Sequence, residues 1–159
     1  MMLLRSHLLV SCWLVLAAGT VAAQDDDVVG RVLKPRVRMF FENLAREEVE
    51  SDKAFNELLA NGPLSGREEV IPLIGKYSQL EETYGKFIES EAIGAKTVGR
   101  DLVLLKYLYK MERFPVVWYF TYYRPPTPSG EGTKWVIISL RFDTRLDLLD
   151  LTERKPDAP

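Results

Sequence analysis

The sequence predicts an α+β fold, with N-terminal helices packed on a curved four-stranded antiparallel sheet. Three observations carry that reading. Up to Gly85, apolar residues recur at the spacings of three and four that mark one face of a helix. Beyond Gly85 the period falls to two over four successive stretches. Helices thus precede strands as a block, which is the order of an α+β domain and not of alternating βαβ units. Composition agrees with one globular unit: 159 residues, 47% apolar and 28% charged, enough chain to bury a sizeable core. No internal repeat is visible, and no linker divides residues 31–151.

Residues 1–23 read as a signal peptide. Arg5 precedes an apolar run from Leu8 to Ala18 that only Ser11 interrupts. That run is short for a helix crossing about 30 Å of hydrocarbon, and its length suits an h-region. Val21-Ala22-Ala23 places small side chains before a cut ahead of Gln24. A membrane anchor and a lipidated Cys12 are the competing readings. The acidic Asp25-Asp26-Asp27 opposes the first, and a cut inside the apolar run opposes the second. The expected location is outside the cytoplasm, periplasmic or secreted, with no membrane contact after cleavage. Residues 24–30 then form an acidic, flexible start, and residues 152–159 a polar tail.

Within the domain, Pro35 suits the first turn of a helix, and Val37, Phe40, Phe41 and Leu44 share one face. A second helical stretch, Glu47 to Ala60, carries Val49, Phe55, Leu58 and Leu59, and Asn61-Gly62-Pro63 stops it. Whether the two stretches are one kinked helix or two is left open by the spacing. Ser65 and Glu68 form an S-x-x-E capping box. The stripe Val70, Leu73, Ile74, Tyr77, Leu80, Tyr84 follows on a helix over residues 66–84. Pro72 lies inside that stripe and predicts a kink, or a short turn joined to a longer helix. Gly85 suits the position just past the helix end.

The strand half begins with a weak, mostly polar strand from Phe87 to Val98, turned by Gly99. In Arg100 to Glu112 the odd positions Val103, Leu105, Tyr107, Tyr109 and Met111 are all apolar. Pro115 is tolerated at a strand's first residue, and the aromatic stretch Val116 to Tyr123 follows it. Residues 125–133 form a Pro/Gly/Ser loop. Trp135 to Asp143 alternates again, with Val136, Ile138, Leu140 and Phe142 expected on one face. Leu146 to Leu151 reads as a short amphipathic turn.

The inventory prunes the chemistry. Cys12 and His7 are the only Cys and His, and both lie in the signal peptide. A mature chain without them has no disulfide, no Ser-His-Asp triad, no Cys nucleophile and no zinc site with imidazole or thiolate. The acids lack calcium-loop spacing, and neither phosphate-cradling glycine motif occurs. No metal and no cofactor is therefore expected. A formal net charge of -2 argues against a nucleic-acid partner.

The order of elements, with Val98-Gly99-Arg100-Asp101-Leu102, Phe114-Pro115-Val116-Val117-Trp118-Tyr119-Phe120 and Arg141-Phe142-Asp143, resembles the nuclear transport factor 2-like, or cystatin-like, cone fold. More narrowly, it is similar to small exported bacterial proteins of that superfamily without an assigned activity. The resemblance spans residues 30–149. It implies helices and a curved sheet enclosing a cone open at one end. Some members use the cone as an enzyme pocket, as isomerases or cyclases. Others bind a ligand, dimerise, or pair with another protein.

Two functions follow as expectations. The first is a non-enzymatic binding or protein-interaction domain, including a homodimer through the open sheet face. The alternative is an isomerase- or cyclase-like enzyme acting on a small apolar ligand through a carboxylate in the cone. Tyr107 to Tyr123 hold eight aromatic residues, which read either as a pocket wall or as sheet core. The candidate ligand-pocket residues are Tyr107, Trp118, Phe120, Tyr122 and Arg141, the last for an anionic group. Asp101, Glu89 and Asp143 are the candidate bases, set against turn, solvated and capping roles. Lys34, Arg36 and Arg38 read as a solvated helix face.

Overall fold

The computed structural model describes residues 28–46, 48–126 and 134–146. The stretch expected to be a signal peptide, the acidic start to residue 27, the 127–133 part of the loop and everything from residue 147 onward lie outside the described residues.

Helix formation starts earlier than Pro35. Val28 already has helical angles, a π-helical turn runs over Val29–Leu33, and α1 (Lys34–Leu44) continues from it. Pro35 offers no N–H to the preceding turn, and the ladder is widened just ahead of it, where the Lys34 N–H reaches back to the Val29 carbonyl. Val29 is buried, so residues 28–30 belong to the domain and not to a frayed start. As its pattern predicts, α1 buries Val37, Phe40, Phe41 and Leu44. The next stretch is a separate helix, α2 (Ser51–Leu59), burying Ala54, Phe55, Leu58 and Leu59. Asn61 takes a left-handed φ of 63° just after it.

The expected capping box does not form. Ser65 lies in a turn, its N–H bonded to the Gly62 carbonyl, and no side chain caps the helix that follows. A 3-10 turn over Glu68–Val70 leads into α3 (Ile71–Tyr84) instead. Pro72 thereby falls in the first turn of α3, where a missing N–H costs nothing. Gly85 closes α3 at φ 84°, its N–H bonded to the Glu81 carbonyl.

The sheet is an antiparallel meander in the order β1 (Phe87–Val98), β2 (Leu102–Met111), β3 (Pro115–Tyr123), β4 (Val136–Asp143). Bulges interrupt the ladders near Ile88, Ile93 and Ile138, and bulges bend strands and sharpen their twist. All five odd positions of β2 from Val103 to Met111 are buried. On β3, Val116, Trp118, Phe120 and Tyr122 face the same side.

The β4 bulge corrects one expectation. Tyr122 pairs with Ile137 and Thr121 with Ser139, leaving Ile138 as the extra residue. The inner face therefore receives Ile137, then Leu140 and Phe142, while Ile138 is exposed. Strict alternation had assigned Val136 and Ile138 to that face; one inserted residue reverses it.

The helices cover the inner face of the sheet through rings. Phe41 lies 5.0 Å from Tyr109, 5.5 Å from Trp118 and 5.7 Å from Phe120, centroid to centroid. Phe55 of α2 and Tyr77 of α3 also contact Trp118. Edge-to-face pairs of this kind add about 0.5–1.5 kcal/mol beyond burial.

Candidate functional site

The sheet has two unlike faces. On the inner face, Tyr107, Trp118, Phe120 and Tyr122 are brought together, but as packed core: each is at most 5% exposed. Their neighbours are Phe40, Phe41 and Phe55. Among the described residues, no Asp, Glu, Lys or Arg is buried there. The polar atoms of this interior are tyrosine hydroxyls and one indole. The Tyr77 and Tyr109 hydroxyls lie 3.1 Å apart, and Tyr77 also donates to the Leu44 carbonyl. Burial pushes the Tyr77 and Tyr107 hydroxyls up to about 12, and raises those of Tyr109 and Tyr122 as well. All four are neutral near pH 7. The Tyr122 hydroxyl and the Trp118 indole N–H are buried without a hydrogen-bond partner among the described residues.

The three candidate bases all lie on the surface. Asp101 accepts from Arg124 at 2.9 Å, and Arg124 in turn sits over the Trp135 ring. Glu89 pairs with Lys110 at 2.7 Å. Asp143 accepts from the Arg145 backbone N–H at 2.9 Å, and its hydrogen bonds with Arg145 hold it below the usual carboxylate range. That is the capping role. Arg36, read as part of a solvated helix face, instead donates to the Trp135 carbonyl at 2.8 Å and lies over Tyr122. It ties α1 to the start of β4.

Arg141 does not join the four aromatics. It pairs in register with Tyr119, not with an inner-face residue, and so projects from the opposite side of the sheet. There it meets a groove of about 240 Å³ that crosses all four strands, from Gly94 and Lys96 on β1, past Leu104 and Lys106, to Tyr119 and Arg141. The Arg141 guanidinium carbon is 4.2 Å from the Tyr119 ring centroid, and Lys106 Nζ is 5.8 Å from it. Lys106 and Arg141 both pair with Tyr119, from the strands on either side. Each contact is a cation–π pair, worth about 0.5–1 kcal/mol where exposed.

The five residues expected to share a pocket thus divide four to one between opposite faces. Tyr119, Lys106 and Gly94 were not among them. The usable signal was alternation: Lys106 falls among the even positions of β2, opposite the apolar odd set. Joining it to Tyr119 and Arg141 requires the pairing register, which a single sequence does not supply.

Comparison with family models, with curated proteins and with solved structures finds no match for this chain. Among the described residues, no helix is long and apolar enough to cross a membrane.

Proposed function

We propose that this chain is an exported, non-enzymatic binding or protein-interaction domain of the nuclear transport factor 2-like kind, working through the outer face of its sheet. One observation carries the reading: the groove around Tyr119 lies outside, while the interior is packed by aromatic side chains. Binding surfaces combine apolar area with a few placed polar groups, and Leu104, Tyr119, Lys106 and Arg141 supply both. The cone resemblance agrees with the order of elements, helices first and then a four-strand meander. An isomerase- or cyclase-like reaction needs a carboxylate inside the cone. Among the described residues, Asp101, Glu89 and Asp143 are each paired with a cation on the outside.

Native mass spectrometry of the protein purified from its own host tests the reading. The comparison is wild type against Gly94→Phe, which fills the groove. A retained ligand, a bound protein or a second copy that disappears in the variant supports an outer-face binding domain. A bare monomer in both samples refutes it. Export is tested separately by N-terminal sequencing of extracytoplasmic material: a chain beginning at Gln24 is expected, and one beginning at Met1 in the membrane fraction refutes cleavage.

A further inference from the structure

We propose that the outer-face groove is a site for a small organic anion with a flat apolar body, its acidic group held by Arg141 and Lys106. The inference rests on the outer-face reading above and names the ligand class.

Charge on this face is distributed unevenly. Toward one end, Lys110 is met by two carboxylates, Glu89 at 2.7 Å and Glu91 at 3.0 Å. Around Tyr119 the opposite holds. Lys96, Lys106 and Arg141 line the groove, no acid lines it with them, and no described carboxylate pairs with any of the three. A cleft lined by one sign of charge attracts the other. Arg141 rests on a ring and has no carboxylate partner among the described residues, so its N–H donors are placed for a forked, two-oxygen contact with an acidic group.

The rest of the groove sets the body of the ligand. Tyr119 presents a half-buried ring and Leu104 an exposed side chain, 39% accessible. Gly94, directly across from Lys106, leaves that point of the β1 side without a side chain. Strand spacing of about 4.8 Å makes the four-strand crossing about 14 Å long. The groove's volume is about 240 Å³. These dimensions suit one or two fused or linked rings, not a long acyl chain.

The test uses two fluorescent probes of one ring system. Anilinonaphthalene sulfonate carries the acidic group, and phenylnaphthylamine lacks it. The sulfonate is expected to bind the purified protein at one site, more tightly than the neutral probe. Arg141→Gln and Lys106→Gln should each weaken the sulfonate about tenfold, the scale of one lost charge-assisted hydrogen bond. Both should leave the neutral probe within about twofold. Both positions lie on the solvent side of the sheet, and near-UV circular dichroism confirms an unchanged core. Gly94→Phe should abolish binding of both probes. A Cβ at position 94 would meet only the Lys106 Cβ, at an ordinary 3.6 Å, so the backbone accepts the change.

Equal affinity for the two probes, or sulfonate binding unmoved by both charge variants, overturns the proposal. So does failure to bind the sulfonate below about 1 mM. If the probe fails while native mass spectrometry finds a protein or second copy that Gly94→Phe expels, the anion site falls and the interaction domain stands. If neither binds, both fall.

Discussion

Phe41 is the residue whose removal most directly tests the packed interior. Its ring is 1% exposed and lies within 6 Å, centroid to centroid, of Phe40, Tyr107, Tyr109, Trp118 and Phe120. Truncation to alanine removes roughly 150 Å² of buried apolar area, which at about 25 cal/mol per Å² is about 4 kcal/mol. Measured Phe-to-Ala losses in cores run about 3–5 kcal/mol, so the two routes agree. Folded domains hold only about 5–15 kcal/mol in total, and the change would consume a large share of it. Urea unfolding followed by tryptophan emission reads the effect, since Trp118 lies in the same cluster. With a slope near about 2 kcal/mol per M, the midpoint should fall by about 2 M. Phe41→Leu keeps most of the volume and should lose about 1–2 kcal/mol, which covers the case in which the alanine variant does not fold. A midpoint shift under about 0.5 M for Phe41→Ala, at unchanged slope, would refute the packing described here.

Three further outcomes are expected. Gly85→Ala should cost well over about 1 kcal/mol, because Gly85 combines a φ of 84° with a Cβ position that the Glu112 side chain occupies. Gly99→Ala shares the positive φ, 62°, but has open space around it, so the same urea measurement should show a clearly smaller loss. Tyr122→Phe should leave stability unchanged or raise it by about 1 kcal/mol, since it deletes a buried hydroxyl without a partner among the described residues; a loss above about 1 kcal/mol would show that the hydroxyl is bonded. Alkaline pH should unfold the chain through its tyrosines. Tyr77 rises from 10.0 to about 12 by burial. Its contribution is therefore complete below pH 10 and is lost as pH climbs from 10 to 12, about 2–3 kcal/mol from this residue alone. Tyrosinate absorbance and near-UV circular dichroism should change together in that window, and Tyr77→Phe should reduce the dependence.

Local patterns carried the framework of this fold. The odd residues of β2 from Val103 to Met111 are buried because a strand alternates sides every residue, whatever lies beyond it. The faces of α1 and α2, the left-handed Asn61 and the Gly85 stop are equally local, since each depends on a few neighbouring side chains and φ angles. Pro72 already signalled a break, and it falls in the first turn of α3, beyond the 3-10 turn that replaces the expected Ser65 capping box.

What the chain alone did not decide depends on partners distant in sequence. The bulge at Ile138 exists only against Tyr122 and Thr121, and it moves Ile137 inward and Ile138 outward against simple alternation. The aromatic run could be read as pocket wall or core until Phe40, Phe41 and Phe55 were placed against it. The groove is the clearest case. Gly94, Lys106, Tyr119 and Arg141 come from four strands, and only the pairing register sets them on one face. A one-residue slip in any of the three ladders would send a member to the other side. The chemistry of each side chain is written in the sequence; their convergence is a property of the sheet.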